Sequence, residues 1–194
     1  MKTLTLLRHA KSDWDDTVPR DFDRPLNNRG RRAARTVGRE MKRLGLSFDR
    51  VVASSAVRVR ETLAEVEGAF APLTPEFDNR LYLATPDTLL EIAQGAAPEV
   101  ERLLLVGHNP GLEQLVLTLA GAESGHLRDE VEIKYPTATL AELRLPIDTW
   151  ADLREGTAEL TRFIRPRDLD PTLGPDSVLG KRTPLPSTGE DTKP

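Results

Sequence analysis

The chain has 194 residues, 38% hydrophobic and 30% charged, with 31 acidic against 27 basic residues and a net charge of −4. That balance fits one globular domain with room for a short tail; it argues against general nucleic-acid binding, and no apolar run approaches the ~20 residues of a membrane span. The absence of cysteine excludes disulfides, thiol catalysis and cysteine-ligated zinc. The short N-terminal apolar run, broken by Arg8, is no signal peptide, so a cytoplasmic enzyme is the expectation.

In chain order, residues 3–7 (TLTLL) read as a first strand, followed by a long polar loop to about Pro25 that carries Trp14 and several aspartates. Asn27 or Asn28 can cap a helix through RGRRAARTVGREMKRL, which Gly45 ends; Ala33, Val37, Met41 and Leu44 give it one apolar stripe. RVVA (50–53) is a short buried strand, residues 56–70 a second helix, residues 77–83 a strand or turn, and DTLLEIAQ (87–94) a short helix behind Thr85 and Pro86. LLLV (103–106) is a buried strand, and residues 110–120 form a helix with Pro in its first turn. Residues 137–144 and 159–164 read as late strands. The alternation predicts an α/β fold, a three-layer α/β/α sandwich around a mostly parallel sheet, with the late strands adding an antiparallel edge. From Pro166 onward the composition turns to Pro, Gly, Ser, Thr and Asp without apolar period. Residues 1–165 therefore read as the folded domain and 166–194 as a disordered tail.

Ligands of a parallel sheet collect beyond the carboxyl ends of its strands. Three predicted strands end in notable residues: the first in Arg8-His9, RVVA in Ser54-Ser55 with Arg58 one helical turn on, and LLLV in Gly107-His108-Asn109-Pro110. If these strands are neighbours, two histidines and two arginines converge. Arginine forks match phosphate oxygens, helix N-termini add free N–H groups, and a histidine can serve as nucleophile.

These segments resemble the histidine phosphatase superfamily. LLRHAKS is similar to its Arg-His-Gly/Ala signature, SSAVRVRET to its Ser-x-x-x-Arg-x-x-x-Thr block, and VGHNP to its second-histidine block; RPLNNRG resembles a stretch of the short, SixA-like phosphohistidine phosphatases. The resemblance covers roughly residues 3–165. It implies His9 as the nucleophile that takes the phosphoryl group, Arg8 and Arg58 as holders of the phosphate oxygens, and His108 as the second histidine, donating to those oxygens in the transition state. Ser12 is expected to add a hydrogen bond. A histidine nucleophile must be neutral at the attacking nitrogen, and the adjacent guanidiniums are expected to depress its pKa by like-charge repulsion, with a backbone carbonyl fixing the tautomer at the other nitrogen. No metal and no cofactor are expected, since phosphoryl transfer asks mainly for placement and positive charge.

Ala10 stands where glycine is commoner in the family and Ser55 where proline is. No block identifies the acid that protonates the leaving group. Asp13, Asp15, Asp16, Asp87 and Glu113 are the candidates, and Asp15 is preferred because its loop should overhang the pocket. An imidazole leaving group, with a pKa of about 6.5, needs less acid help than an alkoxide, which favours a phosphohistidine substrate. Short segments between the motifs leave no room for a large lid, which suits a phosphorylated side chain on a protein, a histidine-phosphotransfer domain among them. The alternatives are a phosphomonoesterase or mutase for small phosphate esters, and a phosphoprotein-binding module without turnover. His126 lies in a polar Gly-rich stretch read as a loop and receives no role.

Overall fold

The computed structural model describes residues 1–13 and 20–174. Six strands form one sheet in the order β3-β2-β4-β1-β5-β6, with β1 Lys2–Arg8, β2 Arg50–Ala53, β3 Pro75–Phe77, β4 Arg102–Gly107, β5 Leu140–Leu145 and β6 Glu159–Ile164. The pairs β3-β2, β2-β4 and β4-β1 are parallel, while β5 pairs antiparallel with both β1 and β6. The reversed strand is thus the penultimate one, β5, and β6 at the edge runs with the majority.

Both faces of the sheet are covered, and the strand sequences show why. In β4, Leu103 and Leu105 join one apolar cluster and Leu104 and Val106 the other; β1 divides Leu4 and Leu6 from Leu7 in the same way. A strand buried on both faces must be apolar at consecutive positions, which is what makes LLLV continuous rather than alternating. On one face lie α3 (Pro86–Gln94) and α4 (Gly111–Leu119); on the other lie α1 (Asn28–Arg43) and α2 (Val57–Glu67). Asn27 caps α1 by accepting from the Gly30 N–H at 2.7 Å, and Gly45, at φ +65°, follows its end. Gly30 has to be glycine: a Cβ there would stand 2.0 Å from the carbonyl oxygen of Lys11. This close approach seats the start of α1 against the segment that leaves β1.

Two expectations are corrected. The polar stretch around His126 is helical, α5 spanning Gly125–Ile133. It escapes the apolar-stripe test because Val131 is its one buried residue. The folded chain also continues past residue 165. Pro166–Leu169 forms α6, a 3-10 turn follows at Pro171–Leu173, and the Leu173 side chain is buried in the cluster beneath α1. Arg29 donates to the Leu173 carbonyl at 2.7 Å and Arg32 to Thr172 Oγ1 at 2.9 Å, so contacts with α1 hold a segment whose own composition promises none. The strand or turn expected at 77–83 resolves into β3 and a 3-10 turn, Asn79–Leu81. Among the described residues no helix is long and apolar enough to cross a membrane.

Candidate active site

Sheet register brings the three strand ends together. Arg8 of β1 lies opposite Gly107 of β4, and Ala53 of β2 opposite Val106. The residues that follow stay aligned: the His9 N–H donates to the Gly107 carbonyl at 3.0 Å and the Ser54 N–H to Val106 at 2.9 Å. His9 and His108 therefore leave adjacent strands at the same level, with ring centroids 5.1 Å apart. Arg58, in the first turn of α2, is only 3% exposed and brings Nη2 to 3.2 Å from His108 Nδ1. Arg8 donates through Nη1 to the Tyr135 carbonyl at 2.5 Å, while its buried Nε has no partner.

Hydrogen bonds fix both imidazoles. His9 Nδ1 lies 2.7 Å from the Ala10 carbonyl oxygen. A carbonyl can only accept, so Nδ1 carries the proton and Nε2 keeps its lone pair. His108 Nε2 lies 2.8 Å from Ser54 Oγ; since Arg58 can only donate to Nδ1, Nε2 is the protonated nitrogen and donates to Ser54. Burial pushes the His9 pKa down to about 4, with the charges of Arg58, Arg8 and Arg24 adding to the effect against the opposing Ala10 hydrogen bond. His108 is pushed down to about 3, again first by burial and then by His9 and Arg58. Both rings are neutral at neutral pH. Desolvation, more than the like-charge repulsion expected from the sequence, keeps them so.

The other expected residues fare differently. Ser12 accepts a hydrogen bond from Arg24 Nη2 at 2.9 Å; it joins the network around Arg24. Trp14, Asp15 and Asp16 lie outside the described residues. Glu113 accepts from Asn109 Nδ2 at 2.7 Å, which places it at the start of α4 as a partner of Asn109. Asp13 accepts from Asn27 Nδ2 at 2.9 Å.

Three groups that sequence reasoning missed complete the site. Asp21 occupies the Arg58 fork: its backbone carbonyl accepts from Nη1 at 2.6 Å and its carboxylate from Nη2 at 2.9 Å. The same carboxylate accepts from Tyr82 OH at 2.7 Å and from Arg24 at 2.9 Å. Burial alone would raise the Asp21 pKa, but the hydrogen bonds from Tyr82 and Arg24 and the charge of Arg58 hold it down at about 2. The Tyr82 ring stands edge-on to His108, with centroids 5.3 Å apart. Thr62, fully buried, donates to the Arg58 carbonyl at 2.6 Å and accepts the Ala10 N–H at 2.9 Å; it ties the turn after His9 to the helix that carries Arg58. Ser54 and Thr62 were both visible in the SSAVRVRET block as letters without roles. Asp21 and Tyr82 had no local signal. Ala138, at φ +58°, donates its N–H to the His9 carbonyl at 3.0 Å. A non-glycine residue in that region costs about 1–2 kcal/mol, strain that sits directly behind the His9 backbone.

Comparison with known proteins agrees with this geometry. Residues 4–82 match the family model of the histidine phosphatase superfamily, branch 1. An uncharacterized protein of Mycobacterium tuberculosis is 37% identical over 163 residues, covering 83% of this chain and all of its own. Similar solved structures include two of this kind. One is a candidate phosphohistidine phosphatase, SixA, of Nakamurella multipartitia, with a TM-score of 0.69 and 30% identity, covering 85% of this chain and 96% of that one. The other is its candidate counterpart from Agrobacterium tumefaciens, with a TM-score of 0.68 and 28% identity over 84% of this chain and 97% of that one. With the motifs in register on three adjacent strands and similarity along most of its length, the chain belongs to the histidine phosphatase superfamily and is a phosphatase.

Proposed function

We propose that the protein removes the phosphoryl group from phosphohistidine on a protein by way of a covalent phosphohistidine at His9. The observation that carries the proposal is the fixed state of the His9 ring: neutral, with Nδ1 donating to the Ala10 carbonyl and the Nε2 lone pair left for attack. Nε2 bonds to phosphorus while the bond to the substrate nitrogen breaks, and the imidazole leaves neutral because its other ring nitrogen already carries a proton from solvent. Water then attacks phosphorus, the His9–phosphorus bond breaks, and phosphate leaves with His9 neutral again. Arg8 and Arg58 offset the charge on the phosphoryl oxygens. His108 donates to an oxygen from Nδ1 once the arriving dianion favours its protonation; Ser54 accepts from Nε2 in either state, because an imidazolium donates from both nitrogens.

The class of substrate follows from what the site offers a leaving group. Asp21, beside Arg58, is held ionised at neutral pH and makes a poor proton donor, and Asp15 keeps that assignment only as a proposal. Imidazole, with a pKa of about 6.5, leaves with little help. The SixA proteins named above support the same choice, whereas a small phosphate ester is the competing substrate. Rapid-quench mixing with a labelled phosphohistidine protein should trap an acid-labile, base-stable phosphoenzyme that His9→Ala lacks. An acid-stable adduct refutes the histidine carrier. Arg58→Ala should lower turnover by about 10²–10³, the scale for one transition-state donor. Faster turnover of phosphosugars than of phosphohistidine protein refutes the substrate.

A further inference from the structure

Beside the catalytic cluster, on the α1 face of the sheet, lies a cavity of about 300 Å³ lined by Arg8, Lys11, Arg29, Lys134 and Arg167 together with apolar groups such as Leu173. Among the described residues no acidic side chain lines it. Among the described residues, Arg8, Lys11, Arg29 and Lys134 have no carboxylate within ion-pair distance, and Arg167 has only Asp168 at 3.9 Å. Asp168 is itself taken by Arg165 at 2.7 Å. The chain as a whole is acidic, and elsewhere on the same helices arginines find partners: Arg31 with Glu61 and Glu65, Arg35 with Glu65. A pocket that concentrates unpaired cations in an acidic protein focuses positive potential and recruits anions.

Its position says which anion. Arg8 precedes His9 directly and Lys11 follows two residues later, so an occupant lies next to whatever presents its phosphoryl group to His9. Its shape narrows the class further. Charged and apolar groups line it together, and the volume, about ten times that of one water, accepts a side chain with methylenes as well as a charge. We propose that this cavity is a docking site for acidic side chains, glutamate above all, that neighbour the phosphohistidine on the protein substrate. The inference rests on the function proposed above, and it supplies a recognition element that a phosphate monoester without a second anionic group cannot use.

The test compares two synthetic phosphohistidine peptides, one with glutamates flanking the phosphohistidine and one with glutamines. In the wild type, kcat/KM should favour the acidic peptide by about tenfold, the scale of two exposed charge contacts, and the preference should shrink as salt rises. In Lys134→Glu/Arg167→Glu the ratio of the two kcat/KM values should fall to about one or below. Equal values in the wild type, or a preference that survives charge reversal, overturns the docking site. If neither peptide is hydrolysed, the proposed function fails, and the cavity is judged by fluorescence anisotropy of the unphosphorylated acidic peptide. Binding that the double variant abolishes upholds the docking site, and absence of binding overturns it. A sugar bisphosphate preferred over its monophosphate only by the wild type also overturns it, by assigning the cavity to a small anion.

Discussion

Thr62→Val isolates the bridge between the segment that carries His9, the proposed nucleophile, and the helix that carries Arg58. The substitution keeps side-chain volume and branching but deletes the hydroxyl that accepts the Ala10 N–H and donates to the Arg58 carbonyl. Ala10 and Thr62 are both fully buried, so water cannot replace the lost acceptor, and an orphaned buried donor costs about 1–3 kcal/mol. Loss of the bond to the Arg58 carbonyl adds little, because a hydroxyl bonded back to the preceding helical turn is close to neutral for a helix. At an unfolding slope of about 1–3 kcal/mol per molar urea, the midpoint should drop by ~1 M. The same change loosens Ala10, the residue whose carbonyl holds His9 Nδ1. Misplacing a reacting group by an ångström costs on the order of a hundredfold, so kcat should fall by about ten- to a hundredfold with KM little changed. Thr62→Ser, which restores the hydroxyl, should recover most of kcat. Equilibrium urea unfolding and steady-state kinetics on a phosphohistidine peptide measure both quantities. A Val variant with wild-type midpoint and wild-type kcat would refute the idea that this hydroxyl joins the two halves of the site.

Two further outcomes follow from the histidine pair. Ser54→Ala removes the acceptor of the His108 Nε2–H and should lower kcat by about tenfold, the cost of one buried unpaired donor; Ser54→Thr should retain more activity than Ser54→Ala, and an Ala variant with unchanged kcat would count against His108 being oriented from that side. Stability should also fall in mild acid. His9 and His108 titrate in the native state at about 4 and about 3, against an ordinary value of 6.5. As pH drops below 6.5 the unfolded chain takes up protons that the native state refuses, so stability present above 6.5 is lost toward pH 4, at up to about 1.4 kcal/mol per pH unit for each ring. Urea unfolding between about pH 7.5 and about pH 5 should show this slope, flattened in His108→Asn; a pH-independent wild type would contradict the native-state values.

Most of the frame was legible because the strands announce themselves. LLLV has the unbroken apolar character of a strand covered on both faces, TLTLL alternates threonine with leucine before ending in two leucines, and RVVA is short enough to need cover on both faces. Their final residues could then be read as a single site, and Arg8, His9, Arg58 and His108 do converge. What the sequence hid are the features whose signal belongs to a partner. α5 buries one side chain, so it carries no stripe. Pro166–Leu173 is held by Arg29 and Arg32 of α1, and composition records only that it could not fold alone. The depressed His9 pKa was foreseen with the wrong leading cause, since adjacent arginines can be read from the letters while burial cannot.

Asp21 shows most clearly why such residues stay hidden. A guanidinium that is only 3% exposed is costly to bury without hydrogen-bonded anionic company. For Arg58 that company comes from a carboxylate and a carbonyl 37 residues away in the chain. The carboxylate is in turn anchored by Tyr82, whose ring packs edge-on against His108. The site is therefore not a bare cationic cup but one in which the Asp21 carboxylate already satisfies the buried Arg58. In the proposed reaction a phosphoryl group entering beside His9 meets an Arg58 fork that already holds that carboxylate. Under the proposed function its affinity for Arg58 is set by the difference between two anions, and its three equatorial oxygens offer the guanidinium more acceptors than the two of the resident carboxylate.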